Sequence, residues 1–358
     1  MTPFPRWIVL LIALLLVWVA LDVLLLVFTG ILLAIVLRTL SGWVSSGLRL
    51  PRGAALLLVV SAILGLAALV GTLYAPTIAE QSDELATQLP RVVSDLTARI
   101  RAYSWGRWIL GELSGQAPGG SEMVQQASWA ADTAMSLLTA IAVVLFVGIY
   151  LAVEPGPYVR GVLRLIPMSR RHRIAEALYA CLHVLRSWLF GQAIAMVIVG
   201  TVMGVGLAII GVRLALILGV LAGLFEFVPV VGPVVAVLPA LLLALAESGR
   251  QALWVLALYT VIQSAESYVI TPLVQRRAVE MPPVMTIVAQ LSLGWLAGPM
   301  GLVVAVPLVA AAMVATQMLY VHDYLKDRLD PELEADARAE VRKAAHRELR
   351  GVLPKGDE

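Results

Sequence analysis

Charged side chains are scarce in this sequence of 358 residues, where Asp, Glu, Lys and Arg together make up 14%. A soluble domain carries roughly 25%. Cysteine is nearly absent, and the single Cys181 excludes an intramolecular disulfide framework and any site built from several thiolates. The four histidines, His172, His183, His322 and His346, lie outside the apolar runs and form no HExxH pair. The sequence has no Gly-x-Ser-x-Gly elbow and no phosphate-cradling Walker loop. Asp22 is the only aspartate in an apolar run, so the acid pair of an intramembrane hydrolase is missing. No enzyme, metal site or cofactor is expected. The formal net charge of +2 leaves no electrostatic footprint for nucleic acid.

What is abundant is apolar surface. Hydrophobic residues account for 60% of the chain and the mean hydropathy is +0.89. Only the hydrocarbon of a bilayer is a solvent for so much of it, and the expected fold is an all-α polytopic membrane protein. A span needs about 20 apolar residues. Runs of that length fall at about 54–75, 129–153, 189–210, 252–271 and 299–320. The first run, Trp7 to Leu37, is long for one span and short for two, and Asp22 favours two, because a hairpin puts its carboxylate at a wet turn. A cleaved signal peptide is not expected, since only Arg6 precedes the run and no small-residue cleavage site leads into a polar segment.

Loop charge sets the orientation. Segment 38–52 carries Arg38, Arg49 and Arg52 without an acid, and 154–187 carries six arginines against Glu154 and Glu176, so both are expected in the cytoplasm. Segment 76–128 holds four arginines and six acids and belongs outside. The expected organisation is N-terminal transmembrane helices over 1–75, an extracytoplasmic helical segment over 76–128 and a transmembrane helix over 129–153. A cytoplasmic basic amphipathic segment over 154–188, a core with broken helices over 189–320 and a charged cytoplasmic tail over 321–358 follow. Both termini come out cytoplasmic. In the outer segment Leu85, Leu89, Val92, Leu96, Ile100 and Tyr103 make a helical stripe with a kink at Pro90, and Ser114 to Ser121 reads as a turn. In the basic segment Ile174, Leu178, Leu182 and Leu185 form one face of a helix expected along the membrane surface. In the tail Asp330-Pro331 reads as a helix start and Gly351 as its stop.

The second half is interrupted where apolar helix should be continuous. Leu224 to Pro233 places Pro229, Gly232 and Pro233 between two pieces too short to span comfortably. The two pieces, 214–228 and 233–246, are either two short spans or one re-entrant hairpin. Further interruptions lie at Pro272, at Pro282-Pro283 and at Gly298-Pro299-Met300-Gly301. Carbonyls freed at such breaks cannot face lipid, so they are buried in protein or line a cavity, and paired breaks point to a transporter's binding site. Glu226 and Glu266 are the acids inside apolar segments here. Glu266 sits in a polar stripe with Gln263 and Ser264, and Gln290 is a further candidate of the same kind. Such groups bind a small polar solute, a sodium ion or a proton, or they hydrogen-bond between packed helices. Three ladders, Gly200-x3-Gly204, Gly219-x3-Gly223 and Gly294-x3-Gly298, allow close helix approach.

The run Glu226-Phe227-x-Pro229-x-x-Gly232-Pro233 resembles a hallmark of the autoinducer-2 exporter family of bacterial permeases. So do Glu266-Ser-Tyr-x-Ile-Thr-Pro272 with Pro282-Pro283, Gly298-x-x-Gly301-Leu-x-x-Ala-x-Pro307, and Arg186-Ser-Trp-x-x-Gly191-Gln192 upstream. The resemblance implies about eight transmembrane helices, with broken or re-entrant helices in the second half. It also implies a homo-oligomer, a pentamer, in the bacterial cytoplasmic (inner) membrane. Its implied partners are lipid, a small solute and a proton or sodium ion. The function it implies is secondary export of an autoinducer-2-like solute by an elevator-type movement, with sodium–proton antiport as the alternative within the family; a non-transporting membrane scaffold is the alternative from another class.

Overall fold

The computed structural model describes residues 20–101, 123–270 and 281–323. Among them every regular element is a helix: α1 Leu21–Leu48, α2 Arg52–Arg101, α3 Met123–Val153, α4 Pro155–Arg164, α5 Met168–Ile210, α6 Ala215–Phe225, α7 Val231–Glu247, α8 Gly249–Ala265 and α9 Pro283–Thr316. Short π-helical turns, Glu266–Ile270 and Gln317–His322, follow α8 and α9. Among the described residues three helical stretches are long and apolar enough to cross a bilayer, Leu21–Leu48, Met168–Ile210 and Pro283–Val321. Leu138–Val153 and α4 form a further apolar pair bent by 87°. Large apolar side chains point outward, with Ile209 81% and Trp295 87% exposed. Water would reject such a surface and lipid accepts it. The chain is an all-α membrane protein.

It divides into two compact units. The first combines Met1–Val60, Ile141–Phe190 and Arg277–Glu358, and the second combines Ser61–Ala140 and Gly191–Arg276. In the first unit α1 starts with Asp22 exposed in its first turn, where a carboxylate suits the helix dipole. The stretch proposed to precede that turn lies outside the described residues. Arg38 donates to the Ala152 carbonyl near the end of α3 at 3.2 Å, supplying a partner for one of the carbonyls that a helix end leaves open. Ala34, Leu37, Leu56, Val59 and Ala152 form the core beside it. The expected surface helix around Ile174 to Leu185 is instead the first half of the 43-residue α5, continuous with the span that follows. Leu185 is buried while Leu178 is 36% exposed, so that stripe is not one uniform face.

In the second unit one core joins α5, α6, α7 and α8 through Leu207, Leu218, Ala240, Ala244 and Val255. Leu85 and Val92 of α2, two members of the outer stripe, pack against it. This part of α2 caps helices of its own chain. Gln81 strengthens that role, because its Oε1 accepts from the Ile217 N–H at 3.1 Å. Leu214, at the α6 N-cap, has no side-chain acceptor to offer, so Gln81 supplies one of the partners that the helix start requires. α2 runs as one helix through Pro76 and Pro90. Ser114 to Ser121, Asp330-Pro331 and Gly351 lie outside the described residues.

Two of the glycine ladders meet each other. A Cβ on Gly219 would come within 2.5 Å of Gly204 Cα, and one on Gly223 within 2.8 Å of Met196 O. α5 and α6 therefore touch backbone to backbone, a distance that only glycine permits.

Candidate functional site: a buried acid at a broken helix

α6 ends at Phe225 and α7 begins at Val231, and the five residues between them reverse the chain. On a straight helix, seven residues advance about 10 Å. Here a Cβ on Gly232 would lie only 1.8 Å from Phe225 O, so the start of α7 folds back onto the end of α6. The turn is tight and largely self-satisfied. The Val228 N–H donates to Phe225 O at 3.0 Å, Gly232 N–H to Val228 O at 2.9 Å, and Val231 N–H to Pro229 O at 2.9 Å. The last bond closes a three-residue turn around Val230, whose φ of 70° and ψ of −59° are unusual for a β-branched residue. Strain of this kind costs on the order of 1–3 kcal/mol and persists only where the surroundings enforce it.

Glu226 lies at the first residue of this turn. It is completely buried, and neither carboxyl oxygen makes a hydrogen bond of ordinary geometry, its side-chain polar neighbour being the Glu266 carboxyl. Its backbone carbonyl accepts from Gln192 Nε2 of α5, itself 2% exposed. The Glu266 carboxyl is close enough to act on the Glu226 charge, and the Tyr259 hydroxyl is within electrostatic reach of both acids. Tyr259, Gln263 and Glu266 recur at helical spacing on one stripe that runs from α8 into the turn after it. Glu266 opens the π-helical turn, an irregularity frequent at functional sites.

The other sequence-derived candidates fall differently. Ser264 is exposed and donates to Thr260 O in its own helix at 2.7 Å, so its hydroxyl is occupied locally. Gln290 is fully buried but belongs to the first unit. Pro229, Gly232 and Pro233 all stand in the turn or the first residues of α7. Pro272 lies outside the described residues. Pro283 is the first residue of α9, after Pro282 as N-cap, and marks an ordinary helix start.

Gly298 and Gly301 make a second break. Ala297 (φ −132°, ψ 19°) and Gly298 (φ 59°, ψ −147°) leave the helical region inside α9. A Cβ on Gly301 would lie 1.9 Å from Leu293 O, although eight residues of straight helix span about 12 Å. The chain therefore turns back here as well. Each unit carries one tight helical reversal with a glycine pressed on the preceding carbonyl. Gln192 and Tyr259 are additions from the tertiary structure. A lone glutamine in apolar helix is a visible signal, whereas Tyr259 looks like an ordinary core aromatic.

An all-helical membrane protein with broken helices around a buried carboxyl is of the permease class. The chain matches the family described as AI-2E family transporter over residues 7–320, and it belongs to that family. It is 23% identical to YueF of Bacillus subtilis over 81% of this chain and 82% of that protein. It is 31% identical to YrrI of the same organism over 44% of each chain, and both relatives are named as candidate transport proteins. It is 28% identical to the AI-2 transport protein TqsA of Escherichia coli over 51% of this chain and 52% of that one. The aligned region thus spans about half the length of YrrI and TqsA and most of YueF.

Proposed function

We propose that this permease is a secondary carrier exporting a small polar solute, of autoinducer-2 type, through a site built around Glu226, Glu266, Gln263 and the turn Pro229–Pro233. The observation that carries this reading is the fully buried Glu226 carboxyl, whose oxygens make no hydrogen bond of ordinary geometry and whose polar neighbour is a second acid, Glu266. An unpaired polar group in such a setting costs roughly 2–7 kcal/mol. A scaffold has no use for that expense, while a carrier needs a group left open for a solute or a coupling ion. An elevator-type movement belongs to the proposal through the family resemblance alone. The resemblance to autoinducer-2 exporters, and the name of TqsA, support the solute class.

A second reading, sodium–proton antiport, is favoured by one observation: Glu266 is the electrostatic neighbour of Glu226, and two acids with Tyr259 beside them offer exchangeable places for a proton or a sodium ion. The cytoplasmic (inner) membrane, cytoplasmic N and C termini and a homo-pentamer belong to the proposal through loop charge and resemblance. Flux into proteoliposomes, measured in parallel for autoinducer-2, sodium and protons, decides between the readings. Movement of none of the three by a folded, correctly oriented protein would overturn both.

A further inference from the structure

α4, together with Leu165 and Ile166 that directly follow it, carries three separate stripes. Val159, Leu163 and Ile166 face the first half of α5, packing with Ile174, Ala175 and Tyr179. Tyr158, Val162 and Leu165, at the same helical spacing but rotated away from that contact, are 50%, 51% and 87% exposed. Arg160 and Arg164 make the third stripe, both exposed and one turn apart. Two observations fix how this helix is held. It leaves the apolar stretch Leu138–Val153 at 87°, so if that stretch crosses the bilayer, α4 lies along its surface. Its C-terminal carbonyls are tied down by Arg171, which donates from Nε to Ile166 O at 2.9 Å and from Nη2 to Arg164 O at 3.3 Å.

We propose that α4 is an interfacial anchor that binds anionic phospholipid, with Tyr158, Val162 and Leu165 entering the acyl boundary and Arg160 and Arg164 engaging headgroup phosphate. The charge is complementary, since no acid lies between Glu154 and Glu176 while Arg160, Arg164, Arg170, Arg171 and Arg173 do. A water-facing helix would not carry an apolar stripe beside a basic one, whereas a helix in the headgroup region requires both. The occupant is the lipid surface rather than a soluble anion, because the exposed arginines flank exposed apolar side chains.

The test is independent of what the protein carries. In a Cys181→Ser background, a spin label at Val162→Cys is compared with one at Gly161→Cys in nanodiscs containing phosphatidylglycerol. The Val162 label is expected to be open to oxygen and shielded from a water-soluble nickel complex, and the Gly161 label to be open to nickel. Equal nickel access at both places α4 in water and overturns the proposal. Shielding of the Val162 label from both reagents places it against a second copy of the chain and overturns it too. Phosphatidylglycerol should associate with the purified full-length protein in preference to phosphatidylcholine. That preference should fall about fivefold for each of Arg160→Gln and Arg164→Gln, the factor expected per basic residue near an anionic surface. An unchanged preference in the double variant, or its abolition by millimolar inorganic phosphate alone, overturns the headgroup assignment.

Discussion

At Gly232 there is no room for a side chain of any kind. A methyl group would sit 1.8 Å from the Phe225 carbonyl oxygen, so Gly232→Ala must push α7 off α6. A shift of that sort costs roughly 1–3 kcal/mol. We expect Gly232→Ala to lower the thermal midpoint in detergent modestly and Gly232→Leu to abolish flux in proteoliposomes. Wild-type flux in Gly232→Leu would reduce the break to a connector. Val230 makes the opposite prediction. Its φ of 70° is one that glycine adopts freely, so Val230→Gly should raise the thermal midpoint by relieving strain, and a lower midpoint would refute the strain argument. Glu226 and Glu266 are separable by conservative change. Gln keeps the shape but carries no exchangeable charge, and the groups facing Glu226 are Glu266, Tyr259 and the Gln192 amide. Glu→Gln at the coupling acid should flatten the pH dependence of transport and leave a folded protein by size-exclusion chromatography. Unchanged rate and pH profile in both variants would remove the coupling role and leave only the broken-helix argument.

Elements are fixed in this protein by contacts that glycine and single polar side chains make possible. α5 and α6 meet where Gly200 and Gly204 face Gly219 and Gly223, with backbones at contact distance. Gly219→Leu should therefore separate the helices and cost far more stability than a leucine added at Gly249, where nothing lies within 4 Å. Comparable thermal midpoints for the two variants would contradict the packing described here. Gln81 is a smaller lever on the same helix. Removing its acceptor with Gln81→Ala leaves the Ile217 N–H without that cap and should cost about 1 kcal/mol. The ladders were readable as a pattern. Which ladder pairs with which was not, since the spacing is the same in every case and only the fold brings Gly204 to Gly219.

For the molecule as a whole, orientation is the property to measure. In a Cys181→Ser background, cysteine at Gly249 should label from outside the cell, and cysteines at Gly47 and Ser169 only after permeabilisation. Labelling of Gly47 from outside would invert the topology.

The sequence by itself determined the solvent, the helical class, the two breaks and the acid beside the first of them. Each follows from local chemistry: apolar content, run length, and prolines with glycines where backbone donors are needed. It also carried the family, because those motifs are contiguous stretches of chain. Tertiary structure alone decided that 168–210 is one helix rather than a surface helix followed by a span, since a basic first half and an apolar second half suit either arrangement. It decided as well that Leu85 and Val92 pack on helices of their own chain, and that Glu226, Glu266, Tyr259 and Gln192 are neighbours. These residues are up to 74 positions apart in the sequence, and helical periodicity holds no information about which distant faces meet.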